Sequence, residues 1–148
     1  MAISNSRIQF VAPRIVLVDI DGTVAIRGER GPYEWGRVGE DKPNNAVISL
    51  VRALHQAGND ITFISGRSSI CRHATSNWLS LHVLKNYELI MREENDFRPD
   101  EIIKKELVET NFSDLSQILL VIDDRTKVVK MWRQTLGLTC IQVNDGDF

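Results

Sequence analysis

The chain has 148 residues, 43% hydrophobic and 26% charged, enough for one domain with a substantial core and too few for two ordinary ones, so residues 1–148 are expected to form a single unit. Lys and Arg total 18 against 20 Asp and Glu, a formal net charge of -2. That balance argues against a broad, sequence-independent grip on a nucleic-acid backbone, while leaving the binding of one strand end open. No stretch supplies the ~20 apolar residues that a membrane span requires.

The opening MAISNSRIQFVAPR has no continuous apolar run behind a basic start. It does not read as a secretory signal, and a cytoplasmic location is expected. Ile15–Val18 (IVLV) is short, apolar and rich in β-branched residues, the form of a strand buried on both faces of a parallel sheet. Asp19-Ile20-Asp21-Gly22-Thr23 follows at once, and residues 25–41 read as a long functional loop. Pro43 and the Asn pair behind it open a helix with Val47, Leu50, Val51 and Leu54 on its apolar face, ended by Gly58.

A second apolar run at 61–64 leads into Ser65-Gly66-Arg67, placed at a strand-to-helix junction. Residues 87–91 form a weaker strand signal, and 100–110 a helix. A third strong run at 119–122 precedes Asp123-Asp124-Arg125. Residues 125–136 read as a helix burying Val128, Val129, Trp132 and Leu136, and 139–143 as a last, weak strand. This alternation predicts a parallel α/β sheet with helices on its faces. Ligands in such sheets bind beyond the carboxyl ends of the strands, which is where all three polar groups fall.

Asp19 and Asp21, two positions apart at a strand end, can serve one site. Carboxylates held so close repel unless a divalent cation or a shared proton offsets the repulsion. Gly22 permits a sharp turn and Thr23 offers a hydroxyl. Asp123 and Asp124 add hard oxygen ligands of the kind that suits magnesium. Ser65 and the backbone N–H groups of Gly66 and Arg67 can hold a phosphate. Asp100 and Lys104 lie one helical turn apart, at salt-bridge spacing, and the lysine could instead neutralise a nucleophile and phosphoryl oxygens.

Asp19–Thr23, Ser65, Lys104 and Asp123-Asp124, in this order, resemble the haloacid dehalogenase superfamily of phosphotransferases. The nearer likeness is to the 3'-phosphatase domain of phage polynucleotide kinase-phosphatases. It rests on RGPY (30–33), SGR (65–67), the Asp100 to Lys104 spacing, IDDRTKVVKMWR (122–133) and GDF (146–148). The resemblance implies a Rossmann-like core with a minimal cap, because residues 68–83 look shorter than the corresponding phage segment. It implies that Asp19 attacks phosphorus to form an aspartyl phosphate, and that Asp21 protonates the leaving oxygen and then activates water. Magnesium would be held by Asp19, the Asp21 carbonyl, and Asp123 or Asp124. Ser65 and Lys104 would bind phosphoryl oxygens, while Arg30, Arg67 and Asp100 would position substrate or Lys104.

The expected substrate is a 3'-phosphorylated DNA or RNA end. The alternatives are a nucleotide or small-metabolite phosphatase of the same superfamily and, in a different class, a strand-end binding module without turnover. No GxxxxGK[ST] loop is present, so phosphorylation of 5' ends by that route is not expected, and a kinase or ligase partner would be a separate unit. Arg27, Arg30, Arg37, Arg67, Arg72, Arg92, Arg98 and Arg125 fall in segments assigned to the catalytic edge, consistent with a polyanionic substrate. Trp35, in the long loop, is a candidate for stacking on a base, whereas Trp132 lies on an apolar helix stripe. Cys71 and Cys140 are expected as buried thiols, and His55, His73 and His82 show no metal-ligand spacing.

Overall fold

The computed structural model describes residues 14–148, so residues 1–13, most of the stretch read for a secretory signal, lie outside it. Strand β1 (Ile15–Val18) is the centre of a five-stranded sheet. Beside it on one side run β4 (Asp60–Ser68) and β5 (Glu88–Arg92), and on the other β6 (Ile118–Arg125) and β7 (Cys140–Gly146). The order β5-β4-β1-β6-β7 is parallel throughout.

Side chains of β1 alternate between two cores, as the period of an extended chain requires. Val16 and Val18 pack with Ile61, Phe63 and the helices α1 (Asn45–Gln56) and α2 (Arg72–His82). Leu17 faces the opposite side with Ile64, Val121 and the helices α3 (Asp100–Asn111) and α4 (Thr126–Lys130). The result is the α/β fold expected, a parallel sheet between two helical layers. A two-stranded sheet of β2 (Ala25–Ile26) and β3 (Lys42–Pro43), joined through a 3-10 helix at Trp35–Glu40, forms a small lobe at the carboxyl edge in place of a larger cap.

Several boundaries differ from those expected. Ser65-Gly66-Arg67 does not sit at a strand-to-helix junction: β4 runs on to Ser68. Its pairing with β5 slips between Ser65 and Ser68, a bulge that frees Gly66 and Arg67 from the ladder and turns the arginine inward. Similarly, β6 carries Asp123 and Asp124 within the strand rather than beyond it. In α1 the buried face is Val47, Ile48 and Val51, and Leu50 is 37% exposed because it lies on the shoulder of the stripe. The helix expected over 125–136 is α-helical only to Lys130 and widens into a π turn at Met131–Thr135. The widening falls where Trp132 turns inward to donate its indole N–H to Asp123.

Cys71 and Cys140 are free and buried, as expected. Among the described residues no helix is long and apolar enough to cross a membrane.

The two faces of the sheet and the shoulder of α1 make separable demands. Leu17→Ala, at a fully buried position of β1, is expected to cost about 2–5 kcal/mol. Leu50→Ala should stay within about 0.5 kcal/mol of the parent, and urea unfolding of both variants checks the assignment.

Candidate active site

The site starts where β1 ends. Asp19 N–H still donates to the Ile122 carbonyl at 2.9 Å, continuing the β1–β6 pairing, and the chain then turns tightly around the Ile20 carbonyl. That carbonyl accepts from the N–H groups of Thr23, Val24 and Ala25 at 3.2, 3.1 and 2.9 Å. Gly22 has φ +80°, and a Cβ there would run into the Asp124 carboxylate. Glycine is therefore required twice over, for the left-handed turn and for the approach of β6. The Thr23 hydroxyl donates to Asp19 Oδ2 at 2.9 Å.

Asp19, Asp123 and Asp124 bring carboxylate oxygens within 4.8 Å of one another, all three buried. The compensating cation is Lys104, 1% exposed, delivered by α3. Its Nζ lies 2.7 Å from Asp19 Oδ1, 2.9 Å from Asp123 Oδ2 and 3.7 Å from Asp100 Oδ2. Burial works against a charge on Lys104, yet Asp123, Asp19 and Asp100 raise its pKa well above that of an ordinary lysine. Burial, reinforced by Asp123 and Asp124 and opposed by Lys104, pushes the Asp19 carboxyl well up. Burial and Asp123 raise Asp124 as well. One lysine does not balance three acids in so dry a place.

The two acids of the last pair are placed differently. Asp123 is saturated with protein donors: Oδ1 accepts the N–H groups of Asp124 and Arg125 at 2.9 and 3.2 Å, and Oδ2 accepts Lys104 and, at 3.1 Å, the Trp132 indole. The Asp124 carboxylate receives no side-chain N–H donor among the described residues and stands against Asp19. The donor set fits a hard divalent cation, since an underused carboxylate and a second one beside it supply the oxygen ligands such an ion needs.

Asp21 belongs to a second cluster. Arg67, with a fully buried side chain, grips it through Nε and Nη2 at 2.9 and 2.8 Å, and Arg30 Nη2 lies 3.2 Å away. Partial burial opposes ionisation of Asp21, but the two guanidinium groups outweigh it and hold the carboxyl below the usual range. Both arginines are also tied to Asp41, which accepts Arg30 Nε at 2.7 Å and Nη2 at 2.8 Å, and Arg67 Nη2 at 2.7 Å. The Asp41 carbonyl takes the Trp78 indole N–H at 2.9 Å.

All but two of the expected site residues thus lie in one of two adjoining clusters. Asp19, Thr23, Asp100, Lys104, Asp123 and Asp124 form the first; Asp21, Arg30 and Arg67 form the second. Ser65 and Gly66 link them. The Ser65 hydroxyl accepts the Arg67 N–H at 3.1 Å, which holds the bulge, and a Cβ on Gly66 would strike the Asp100 carboxylate. Arg30 and Arg67 face acids of the protein itself, a positioning role for Asp21. Asp41 escaped the sequence reading because it closes a charged loop. The signal available was that two buried arginines demand a buried counter-charge. Trp35 is half-buried against Val38, Cys71 and Met91, while Tyr33 beside it is 80% exposed.

A five-stranded parallel sheet carrying this acid-and-lysine cluster at its carboxyl edge defines a haloacid dehalogenase-like phosphatase. The chain belongs to the family of the polynucleotide kinase PNKP phosphatase domain, which matches residues 13–148. It is 38% identical over 124 residues to a protein of Autographa californica nuclear polyhedrosis virus assigned as a bifunctional polynucleotide kinase/RNA ligase, a match covering 82% of this chain and 18% of that protein. Two solved structures of the Pnkp1/Rnl/Hen1 complex, one described as an RNA repair complex, match over 93% of this chain and 44% and 47% of theirs. Their TM-scores are 0.88 and 0.87, with 36% and 37% identity. A class C acid phosphatase from Bacillus anthracis shares the fold at TM-score 0.60 and 19% identity, over 93% of this chain and 68% of that one. The chain spans about a fifth of the viral relative and less than half of either complex chain.

The shared carboxylate makes Asp41 the part of the second cluster whose loss should be felt most in stability. Asp41→Ala leaves Arg30 and Arg67 with the Asp21 carboxylate alone between them and is expected to cost about 3 kcal/mol. Arg37→Ala, which removes only exposed pairs with Glu34 and Glu40, should change stability by less than about 1 kcal/mol, and denaturant titration compares the two.

Proposed function

We propose that this phosphatase is a magnesium-dependent polynucleotide 3'-phosphatase that removes the terminal 3'-phosphate of DNA or RNA through an aspartyl phosphate, with residues 1–148 acting as one catalytic unit. The carrying observation is the division of the DxD pair. Asp19 is held between Lys104 and Thr23 against the acid cluster, while Asp21, two residues on, is held apart by arginines.

In the first step an Asp19 carboxylate oxygen forms a bond to phosphorus as the bond from phosphorus to the sugar oxygen breaks. Asp21 gives its proton to that oxygen. In the second step Asp21, now a carboxylate, takes a proton from water as the water oxygen attacks phosphorus. The bond to Asp19 breaks and inorganic phosphate leaves. Arg67 and Arg30 keep Asp21 ionised while the site is free. An entering phosphate dianion favours its protonated form, because a neighbouring like charge disfavours ionisation. Lys104 and the Ser65 hydroxyl, with its proton free to donate, hold phosphoryl oxygens.

The Asp19 and Asp124 carboxylates and the Asp21 main-chain carbonyl would hold magnesium. When bound, the ion supplies charge neutralisation to the transferring group. Asp123 is the acid that orients Lys104, since its own oxygens are already occupied.

The product is a 3'-hydroxyl, the end that a ligase or polymerase uses. The relatives, assigned to kinase and ligase proteins and to an RNA repair complex, support an RNA end and a kinase or ligase partner on a separate unit. Two unpaired cysteines fit a reducing cytoplasm.

Phosphate release from 3'-phosphorylated RNA, 3'-phosphorylated DNA, 5'-phosphorylated strands and mononucleotides decides the substrate. Preference for 3' ends is expected, and equal or better turnover of mononucleotides would replace this reading with that of a nucleotide phosphatase. Asp19→Asn should abolish release while keeping the fold. Asp124→Asn should raise the magnesium needed for half-maximal rate by about ten-fold or more. Asp123→Asn should lower the rate even at saturating magnesium.

A further inference from the structure

Among the described residues three aromatic rings are exposed, Tyr33, Phe97 and Phe148, at 80%, 87% and 67% accessible. All three lie in segments that follow the carboxyl ends of sheet strands, β1, β5 and β7 respectively. The far end of the molecule exposes Leu81, an aliphatic residue at the end of α2. Exposure of single apolar side chains is ordinary; confinement of the exposed rings of the described residues to the edge that carries the acid cluster is not required by packing.

Phe97 is the most exposed of them and sits on the best-braced support. Arg92, at the end of β5, donates through Nη1 to the carbonyls of Asp96 and Arg98, at 3.0 and 2.8 Å, so one guanidinium staples the residues on both sides of the ring. Arg98 returns to Asp96 through its N–H and Nε, at 3.2 and 3.0 Å, and its two terminal nitrogens reach Glu106 on α3 at 2.7 Å. Asn95 takes a left-handed φ of 65° to make the turn. A loop fixed at this many points presents a phenyl ring to solvent with little backbone freedom left to lose on binding.

The brace also ties the ring to the phosphoryl site. Arg92 Nη2 lies 3.3 Å from Asp100 Oδ1, and the other Asp100 oxygen is 3.7 Å from Lys104 Nζ, which holds Asp19. Phe97 is three residues from Asp100, a reach of at most about 11 Å. The loop itself carries Glu93 and Glu94 beside the paired Asp96 and Arg98, so it offers no free cation for a phosphate backbone and suits an uncharged face.

We propose that Phe97 is a stacking platform for a nucleobase at the 3' end, the base of the terminal or the preceding nucleotide, engaged while the terminal phosphate lies at Asp19. This rests on the polynucleotide reading of the same site. A base stacks on an aromatic face irrespective of its identity, so the platform confers preference for a nucleic-acid end over other phosphate esters without sequence preference.

The test compares the intact protein with Phe97→Leu, Phe97→Ala and Phe97→Trp on three substrates: a 3'-phosphorylated oligonucleotide, the same strand with abasic residues at its last two positions, and β-glycerophosphate. Phe97→Leu and Phe97→Ala should lower kcat/KM on the normal strand by about ten-fold. Phe97→Trp should keep or raise it, and all four proteins should be alike on the abasic strand and on β-glycerophosphate. Equal losses on all three substrates would overturn the proposal in favour of a structural role. Unchanged kcat/KM on the normal strand would overturn it in favour of a contact with another protein. If the parent protein fails on the normal strand yet turns over β-glycerophosphate, it is the polynucleotide reading that falls.

Discussion

A single buried ammonium group set among carboxylates governs this structure. Lys104 reaches Asp19 from α3, and the same nitrogen holds Asp123 on β6, so one side chain ties a helix to the two central strands where those strands end. Taking so many charges out of water is costly, and the cost is offset only if every group has a partner at close range. Asp123 satisfies that condition with four donors, and Asp19 with a lysine and a threonine. Asp124 takes no donor from a lysine, arginine or tryptophan among the described residues and stands against Asp19, an arrangement that fits a further cation. The nucleophile and the metal site proposed above would therefore be consequences of the same electrostatic constraint.

The second cluster solves a different problem. In the proposed reaction Asp21 changes protonation state, whereas the two arginines that grip it favour its anion. Asp41 draws on both guanidinium groups at shorter or equal distance than Asp21 does. It thereby keeps the arginines in place while dividing their charge. The small lobe of β2 and β3 frames this cluster: the chain leaves the sheet and returns with Arg30 and Asp41 paired beside Asp21.

Much of this was legible in the sequence, and the physical reason is locality. The apolar run of β1 and the DIDGT after it fix a buried strand and its turn within nine residues, and Asp123-Asp124 repeats the pattern on β6. Lys104 could be placed on a helix by spacing alone. What escaped depends on contacts between distant segments. Asp41 becomes meaningful only once Arg30 and Arg67 are seen to converge on it, across 11 and 26 residues of chain. The bulge in β4 and the π turn at Trp132 are similar, since each is set by what a neighbouring strand or carboxylate demands rather than by local propensity.

The arginines at the catalytic edge show how far composition can mislead. A concentration of guanidinium groups suggests a polyanion tracked along a positive groove. In the folded chain, Arg30 and Arg67 are neutralised by Asp21 and Asp41, Arg37 by Glu34 and Glu40, and Arg98 by Asp96 and Glu106. Arg92 and Arg125 both lean on Asp100. With a formal net charge of -2 as well, long-range attraction of a strand is weak. If a strand end is the substrate as proposed, recognition would have to come from short-range contacts at the end itself: the phosphate against Lys104 and Ser65, and an apolar face for whatever is attached to it. On the proposed reading, such a site would recognise the end of a strand and be indifferent to the length of the strand behind it.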